Sequence, residues 1–431
     1  MPSNASIPLQ SSKTAILADK YSFLNLARHA LSRHQNWGQV WRSPELKSSY
    51  DVVIIGGGGH GLATAYYLAK NHGITNVAVI EKGYIGGGNS GRNTQVVRSN
   101  YFYPESSDFY DRSLQLYEGL TRDLNFNLML SQRGIMSLAH SRHEMETQRR
   151  WANAISINGV DSEVMTPEDI YRIEPSLNPN PTYPIVGGFI QRRGAIVRHD
   201  ALVWGLARGA DALGVDIIQQ CEVTGFNMDG GRVTGVRTTR GDINTEQVGV
   251  AVAGHSTQLA DMAGFRLPIT SMALQAMVSE PIKPVLNSIV LSAMIHVYVS
   301  QSDRGEIVLG GGADVHNSYA QRGTVPPMEH NVRSMLELFP WMSRLKLMRQ
   351  WAGVVDISPD TTPILGKTPV SGMYFNCGWG TGGFKAIPAG GETFAHTIAH
   401  DDPHPLVAGF GLERFYTGAL IDEGAAAGVA H

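Results

Sequence analysis

One long apolar stretch of the chain carries no charge. Residues 52–69, VVIIGGGGHGLATAYYLA, hold no Asp, Glu, Lys or Arg over eighteen positions. That length matches a membrane span. Four consecutive glycines, Gly56 to Gly59, make a continuous helix there costly. A buried strand, a turn and a helix fit better, and no membrane association is expected. DVVII reads as the strand, LATAYYLAKNHG as a helix closed by Gly73, and NVAVIEK as a second buried strand. Farther on, residues 192–219 read as a helix with His199 and Asp200 at its start, Asp200 serving as N-cap. GDINTEQVGVAVAGHSTQLADMAG reads as a hairpin strand running into Ala253–Gly254 and a helix. Near the end, a strand over 372–378 breaks into Gly378, Gly380, Gly382 and Gly383, and a helix starts near Lys385. Before all of these, YSFLNLARHALSRHQNWGQVWRSPELK shows an amphipathic helix followed by a Trp37/Trp41 segment. It fits a strap on its own domain and a docking arm for a partner subunit equally well.

Length and composition narrow this picture. A chain of 431 residues exceeds a single core, so at least two domains are expected. The 48 glycines are about 11% of the chain, against a usual ~7%, which implies many tight turns. The net charge of −3 gives no reason to expect nucleic acid as a partner. Six Lys or Arg in the first 50 residues face only Asp19 and Glu45, so this basic arm carries +4 and the remainder −7. The arm lacks the apolar region and cleavage site of a secretory signal. Two cysteines, Cys221 and Cys377, cannot build a disulfide framework and read as buried thiols of a cytoplasmic protein. No metal is expected.

The glycines after the first strand carry chemistry. Gly56, Gly58 and Gly61 fit G-x-G-x-x-G, and Glu81 ends the second strand twenty residues after Gly61. Such glycines let backbone approach a pyrophosphate, the helix N-terminus supplies N–H donors, and Glu81 can accept from a ribose diol. The motif alone serves FAD and NAD alike. A second glycine-rich loop, YIGGGNSGRNTQVVRSNY at 84–101, favours FAD, because a resident flavin must be covered. The helix start near Lys385 would face the flavin and stabilise negative charge on its reduced ring. Lys385 itself stands where the helix dipole disfavours a cation, which makes it a functional candidate.

Five stretches together, YDVVIIGGGGHGLATAYYLAKNHGITNVAVIEKG, GGN…RNT…VRSNY, RHDA, NCGWGTGGFK and ERFYTGALIDE, are similar to the FAD-dependent amine and amino-acid oxidase family. That family includes sarcosine, glycine and D-amino-acid oxidases. The resemblance runs from about Tyr50 to His431 and is closest to the β subunits of heterotetrameric sarcosine oxidases. It implies a D-amino-acid-oxidase-like fold of mixed α/β class. A discontinuous Rossmann-like FAD-binding domain would comprise 51–125, 195–265 and 345–431. A mixed β-sheet substrate domain would comprise 126–194 and 266–344. It implies FAD contacts at Gly59, His60, Glu81, Lys82, Asn89, Arg92, Thr94, Val96, Val223, Gly380, Gly383 and Lys385. FAD is expected to be non-covalent. The histidine of the RHDA segment, His199, would carry FMN covalently, with Arg198 and the helix start facing its phosphate. Arg98 and Lys385 would grip the carboxylate of sarcosine, N-methylglycine; Tyr101 and Tyr103 could wall the pocket, although simple packing is the commoner role of aromatics. An ion pair of Arg98 with Glu81 or a nearby aspartate is the alternative.

The implied reaction is oxidative demethylation of sarcosine to glycine and a one-carbon unit, with O2 reduced to H2O2. The implied partners are the α, γ and δ subunits. Phe102-Tyr103 replaces the family's usual Leu-Trp, and GGGADVHNSYAQRG at 310–323 departs from its usual run. Two other readings stay open: an FAD-only dehydrogenase subunit for proline, dimethylglycine or an opine, and a flavin-binding assembly subunit without chemistry of its own.

Overall fold

The computed structural model describes residues 23–35 and 39–421. Lys13, Lys20, Trp37, Asp422 and Glu423 of the sequence reading lie outside the described residues. Two sheets organise the chain. The first has six strands in the order Ile364–Lys367, Met373–Cys377, Val248–Val250, Val52–Ile55, Val77–Ile80 and Asp216–Ile218. All neighbours are parallel except the edge strand Ile364–Lys367, which runs antiparallel to Met373–Cys377. Short apolar runs suit these positions, because helices cover a parallel sheet on both faces and every residue of VVII and VAVI is buried.

Helix α1 (Phe23–Leu31) belongs to the leader, and helices α2 (Gly59–His72), α3 (Pro104–Asp123), α4 (His199–Ala212) and α5 (Gly383–His400) pack around the six-stranded sheet. Side chains of α2, α3, α4 and α5 share one apolar core with strands of the six-stranded sheet. Gly73 closes α2 in the left-handed conformation, φ +69°, its N–H donating to the Leu68 carbonyl, as expected.

The second sheet has eight strands in the order Leu347–Ile357, Thr270–Pro281, Glu306–Asn317, Val297–Gln301, Ile289–Ser292, Ile135–Ala139, Gly187–Gln191 and Glu163–Met165. One expectation is corrected here. Leu347–Ile357 falls inside the 345–431 segment assigned to nucleotide binding, yet it pairs along its length with Thr270–Pro281 in the eight-stranded sheet. Its apolar run WAGVV reads equally well in either sheet, and only register decides.

Three local expectations also change. Gly241–Asn244 pairs antiparallel with Arg232–Thr238, whereas Val248–Val250 enters the six-stranded sheet, so GDINTEQVGV spans two sheets and is not one hairpin strand. Asp200 is not the N-cap of its helix. Arg198 occupies the cap position, His199 is the first helical residue, and Asp200 accepts the Ala201 N–H at 2.8 Å from inside the first turn. The leader divides in two. The α1 helix forms with no buried residue, whereas Trp41 packs on the core and Arg42 pairs with Asp211 and Asp216, strapping 39–50 to the body. No described helix is long and apolar enough to cross a membrane.

Candidate functional site: a cavity between the two sheets

The strand Val52–Ile55 ends in Gly56 at φ +112°, a conformation open to glycine and strained for other residues. A Cβ on Gly61 would lie 1.9 Å from the Gly56 carbonyl oxygen, so only glycine lets the first turn of α2 seat against the strand end. Gly58 caps α2 and the Gly59 N–H donates to Ser90 Oγ at 2.8 Å. Glu81 leaves its own strand and accepts the Gly57 N–H at 2.8 Å through Oε2 and the Gly83 N–H at 2.7 Å through Oε1. The acid and the glycine turn thus form one unit.

A cavity of about 430 Å³ opens from this turn. The 84–101 loop covers it and is stitched to the other sheet. Asn89 donates to the Val354 carbonyl at 2.6 Å and accepts the Val354 N–H at 2.9 Å, and Trp351 Nε1 donates to the Arg92 carbonyl at 2.6 Å. Arg92 itself donates to the carbonyls of Gly87 and Gly88, stiffening the loop. At the far end lie Gly380, in the turn before α5, and Gly383 and Lys385 on its first turn.

Of the residues named from sequence, all the candidate cofactor and substrate contacts line this one cavity except Gly61, Tyr101, Tyr103, Arg198 and His199. Gly61 acts through packing, as above. Tyr101 and Tyr103 were expected as pocket walls and are not. Tyr101 instead lies under the Arg98 guanidinium, 4.6 Å from it, and Tyr103 caps α3.

Of the alternative partners for Arg98, Glu81 already accepts the amides of Gly57 and Gly83 through its two carboxylate oxygens. Arg98, 6% exposed, donates to Asn100 Oδ1 at 2.6 Å. Lys385, also 6% exposed, donates through Nζ to the Thr381 carbonyl at 2.9 Å. Burial and the neighbouring Arg98 charge hold the lysine well below its ordinary pKa. Two buried basic groups facing one cavity make a receptor for an anion.

The residues 51–397 match the model of the FAD dependent oxidoreductase family. The chain belongs to that family. It is also 52% identical over 413 residues to sarcosine oxidase subunit beta of Rhodobacter capsulatus, covering 96% of this chain and all of that one. It is 53% identical over 394 residues to the protein of the same name from an Arthrobacter species, covering 91% and 97%. Among solved structures, L-proline dehydrogenase from P. horikoshii superposes with a TM-score of 0.82 at 26% identity, covering 87% of this chain and all of that one. The subunit names imply a multi-subunit enzyme.

FAD, the cofactor of the family, suits the cavity. It begins at a turn where backbone can approach a pyrophosphate closely and ends at a helix N-terminus suited to negative charge. Two groups here, Trp379 and Asp356, were missed from sequence. His60 stacks on Trp379 at 4.8 Å and bonds the Gly383 carbonyl through Nε2 at 2.8 Å, joining α2 to α5 across the cavity floor. Burial pushes its pKa down to about 4, so it is neutral. Asp356, 2% exposed, accepts the Gly378 N–H at 2.6 Å, with the amides of Trp379 and Gly380 also directed at it. Burial raises its pKa to about 7 and those amides restrain the rise. An acid inside the apolar run WAGVVDI was the available signal for Asp356.

His199 lies outside the FAD cavity. Its Nδ1 is buried without a hydrogen-bond partner, and burial lowers its pKa, with Asp200 opposing and Arg198 reinforcing. Arg198 does not stand free for a phosphate. It is engaged by Asp200 through two parallel bonds, one of 2.9 Å.

Proposed function

We propose that this chain is the β subunit of a sarcosine oxidase and carries the amine-oxidising site of that complex. The observation that carries the reading is the placement of Arg98 and Lys385 in the same buried cavity as the dinucleotide turn. The family, and relatives named sarcosine oxidase subunit beta at about half identity over nearly the whole chain, support the substrate. On this reading the six-stranded body holds the nucleotide and the eight-stranded sheet roofs the cavity.

The chain's own residues then divide the work. Gly56 to Gly59 and the N-terminus of α2 receive the pyrophosphate. Glu81 and Lys82 lie at the ribose end, and Val223 borders them. Asn89, Arg92, Thr94 and Val96 form the cover, while Gly380, Gly383 and Lys385 form the far wall. When bound, FAD supplies the acceptor for the hydride taken from the N-methyl group. Arg98 binds the substrate carboxylate through its planar fork and Lys385 adds a point charge. Together they orient the methyl group and leave the amine unclamped by any acid. The products are glycine, a one-carbon unit and, after O2 accepts the electrons, H2O2.

We further propose that His199 carries FMN covalently. A neutral imidazole with an unpartnered buried Nδ1, at a helix start, suits a nucleophile toward an activated flavin ring. When attached, FMN supplies a second electron carrier. The α, γ and δ subunits would be the partners. Two unpaired, buried cysteines support a cytoplasmic location.

Acid denaturation of the purified complex, followed by counting released and retained flavin, tests the cofactors. The expected result is FAD released and FMN retained on this chain, one of each. Release of all flavin would leave His199 unlinked and favour an FAD-only dehydrogenase. Arg98→Ala tests the site: turnover should fall by ~100-fold or more, about 2.7 kcal/mol of transition-state stabilisation. Near-normal turnover would make this chain an assembly subunit.

A further inference from the structure

Arg98 and Lys385 come from segments nearly 290 positions apart, yet a carboxylate needs them at a fixed separation. One helix touches the supports of both. Tyr110, Ser113 and Tyr117 lie on a single face of α3, spaced three and four residues apart. Ser113 Oγ donates to the Lys385 carbonyl at 2.7 Å, and Tyr117 Oη donates to the Phe384 carbonyl at 2.6 Å. These bonds pin the first turn of α5. One turn back, the Tyr110 ring lies parallel to Tyr101, 3.7 Å between centroids and 5° between planes. Tyr101 in turn holds the Arg98 guanidinium 4.6 Å from its ring centre. All three members of this column are at most 6% exposed. The column also abuts the helix start directly, because a Cβ on Gly382 would fall 2.2 Å from Tyr110 Oη and 3.2 Å from Tyr101 Oη.

We propose that Tyr110 is a positioning residue for substrate binding. Through the Tyr101–Tyr110 stack, α3 sets the separation and tilt of the Arg98 guanidinium relative to Lys385. This rests on the proposed function, in that these two cations grip the substrate carboxylate. Neither tyrosine of the column lines the cavity. The column acts by denying the guanidinium alternative rotamers, since a flat cation on a buried aromatic face has one favourable orientation.

The test uses the assembled complex and acetate, a carboxylate without an amine, with its dissociation constant read from the change in flavin absorbance. Tyr110→Leu removes the stacking face and should weaken acetate and raise KM for sarcosine about tenfold, with FAD content unchanged and kcat within ~3-fold. Tyr110→Phe keeps the face and should recover most of the affinity. Gly382→Ala pushes against the Tyr110 hydroxyl and should weaken acetate as well. Combining it with Tyr110→Phe, which removes that hydroxyl, should restore binding, and this double variant decides the matter if Tyr110→Leu fails to fold. Equal losses in kcat and KM, or unchanged acetate affinity in both Tyr110→Leu and Gly382→Ala, would overturn the proposal. Failure of the underlying reading would look different: Arg98→Lys itself would leave acetate binding unchanged.

Discussion

Pro388 sits inside α5 and has no N–H, so the Phe384 carbonyl one turn earlier has no helical donor. The Tyr117 hydroxyl takes that place at 2.6 Å, from a side chain that is 0% exposed. Tyr117→Phe deletes one oxygen, keeps the ring packing, and leaves the carbonyl without its donor. An unsatisfied buried polar group costs about 1–3 kcal/mol. Phe384 is only half-buried, so the lower part of that range, about 1–2 kcal/mol, is expected. Pro388→Ala supplies the missing N–H from within the helix. In that background Tyr117→Phe should cost less than about 0.5 kcal/mol, giving a coupling energy on the order of 1 kcal/mol. Urea titrations of the four proteins, compared at constant slope, close the cycle. If Tyr117→Phe costs the same in both backgrounds, the proline does not create the need for Tyr117, and the argument fails.

Asp356 predicts a pH effect on stability. Its folded pKa is raised to about 7 from an ordinary 3.8, so the folded state holds the proton more tightly. The stability it contributes is therefore complete below about pH 4 and lost as pH rises through about 7, at no more than ~1.4 kcal/mol per pH unit. Asp356→Asn cannot titrate there. The stability of the native chain relative to this variant, from urea midpoints, should fall between pH 4 and 7 and then level; a flat difference would refute it. Arg414 and Asp360 form a buried bidentate pair, 2.8 and 2.9 Å, with side chains 3% and 1% exposed. Arg414→Leu strands a carboxylate and should destabilise by about 3–5 kcal/mol, whereas adding Asp360→Leu should recover much of the loss. Thermal scans of the single and double variants measure both.

The dinucleotide unit was legible because its reasons are local. The strand, the Gly56–Gly61 turn, α2 and Glu81 lie within thirty residues, and each needs only its neighbours. The cover loop was readable for the same reason: its glycines and its short strand Val96–Val97 are contiguous. What escaped was set by pairing at a distance. Nothing in WAGVVDI says that it joins Thr270–Pro281, and that placement alone brings Asp356 to the turn at Gly378. The tyrosines of the VRSNYFY stretch could be read as an aromatic wall or as simple packing. The partner that turns Tyr101 into a support, Tyr110, arrives from α3, where it reads as one more buried helical aromatic. Asp200 looked like an N-cap because it precedes the apolar run. The helix instead starts two residues earlier, with Arg198 at the cap position and paired to Asp200.

The electrostatics of the far wall have one direction. Lys385 is the third residue of α5, where the helix dipole opposes a cation; it is buried, and a guanidinium stands nearby. Each factor destabilises the ammonium, and none is needed to fold the helix, since Gly383 and Phe384 begin it without side-chain caps. An arriving carboxylate reverses the balance, because it supplies the negative charge that a protonated lysine lacks in this cavity. The same positive potential acts on the other end of an amino-acid substrate and disfavours its protonated amine. Only the neutral amine has the lone pair that assists hydride departure. On the proposed assignment of Arg98 and Lys385 to the substrate carboxylate, the charge that captures the carboxylate therefore also favours the neutral, reactive nitrogen.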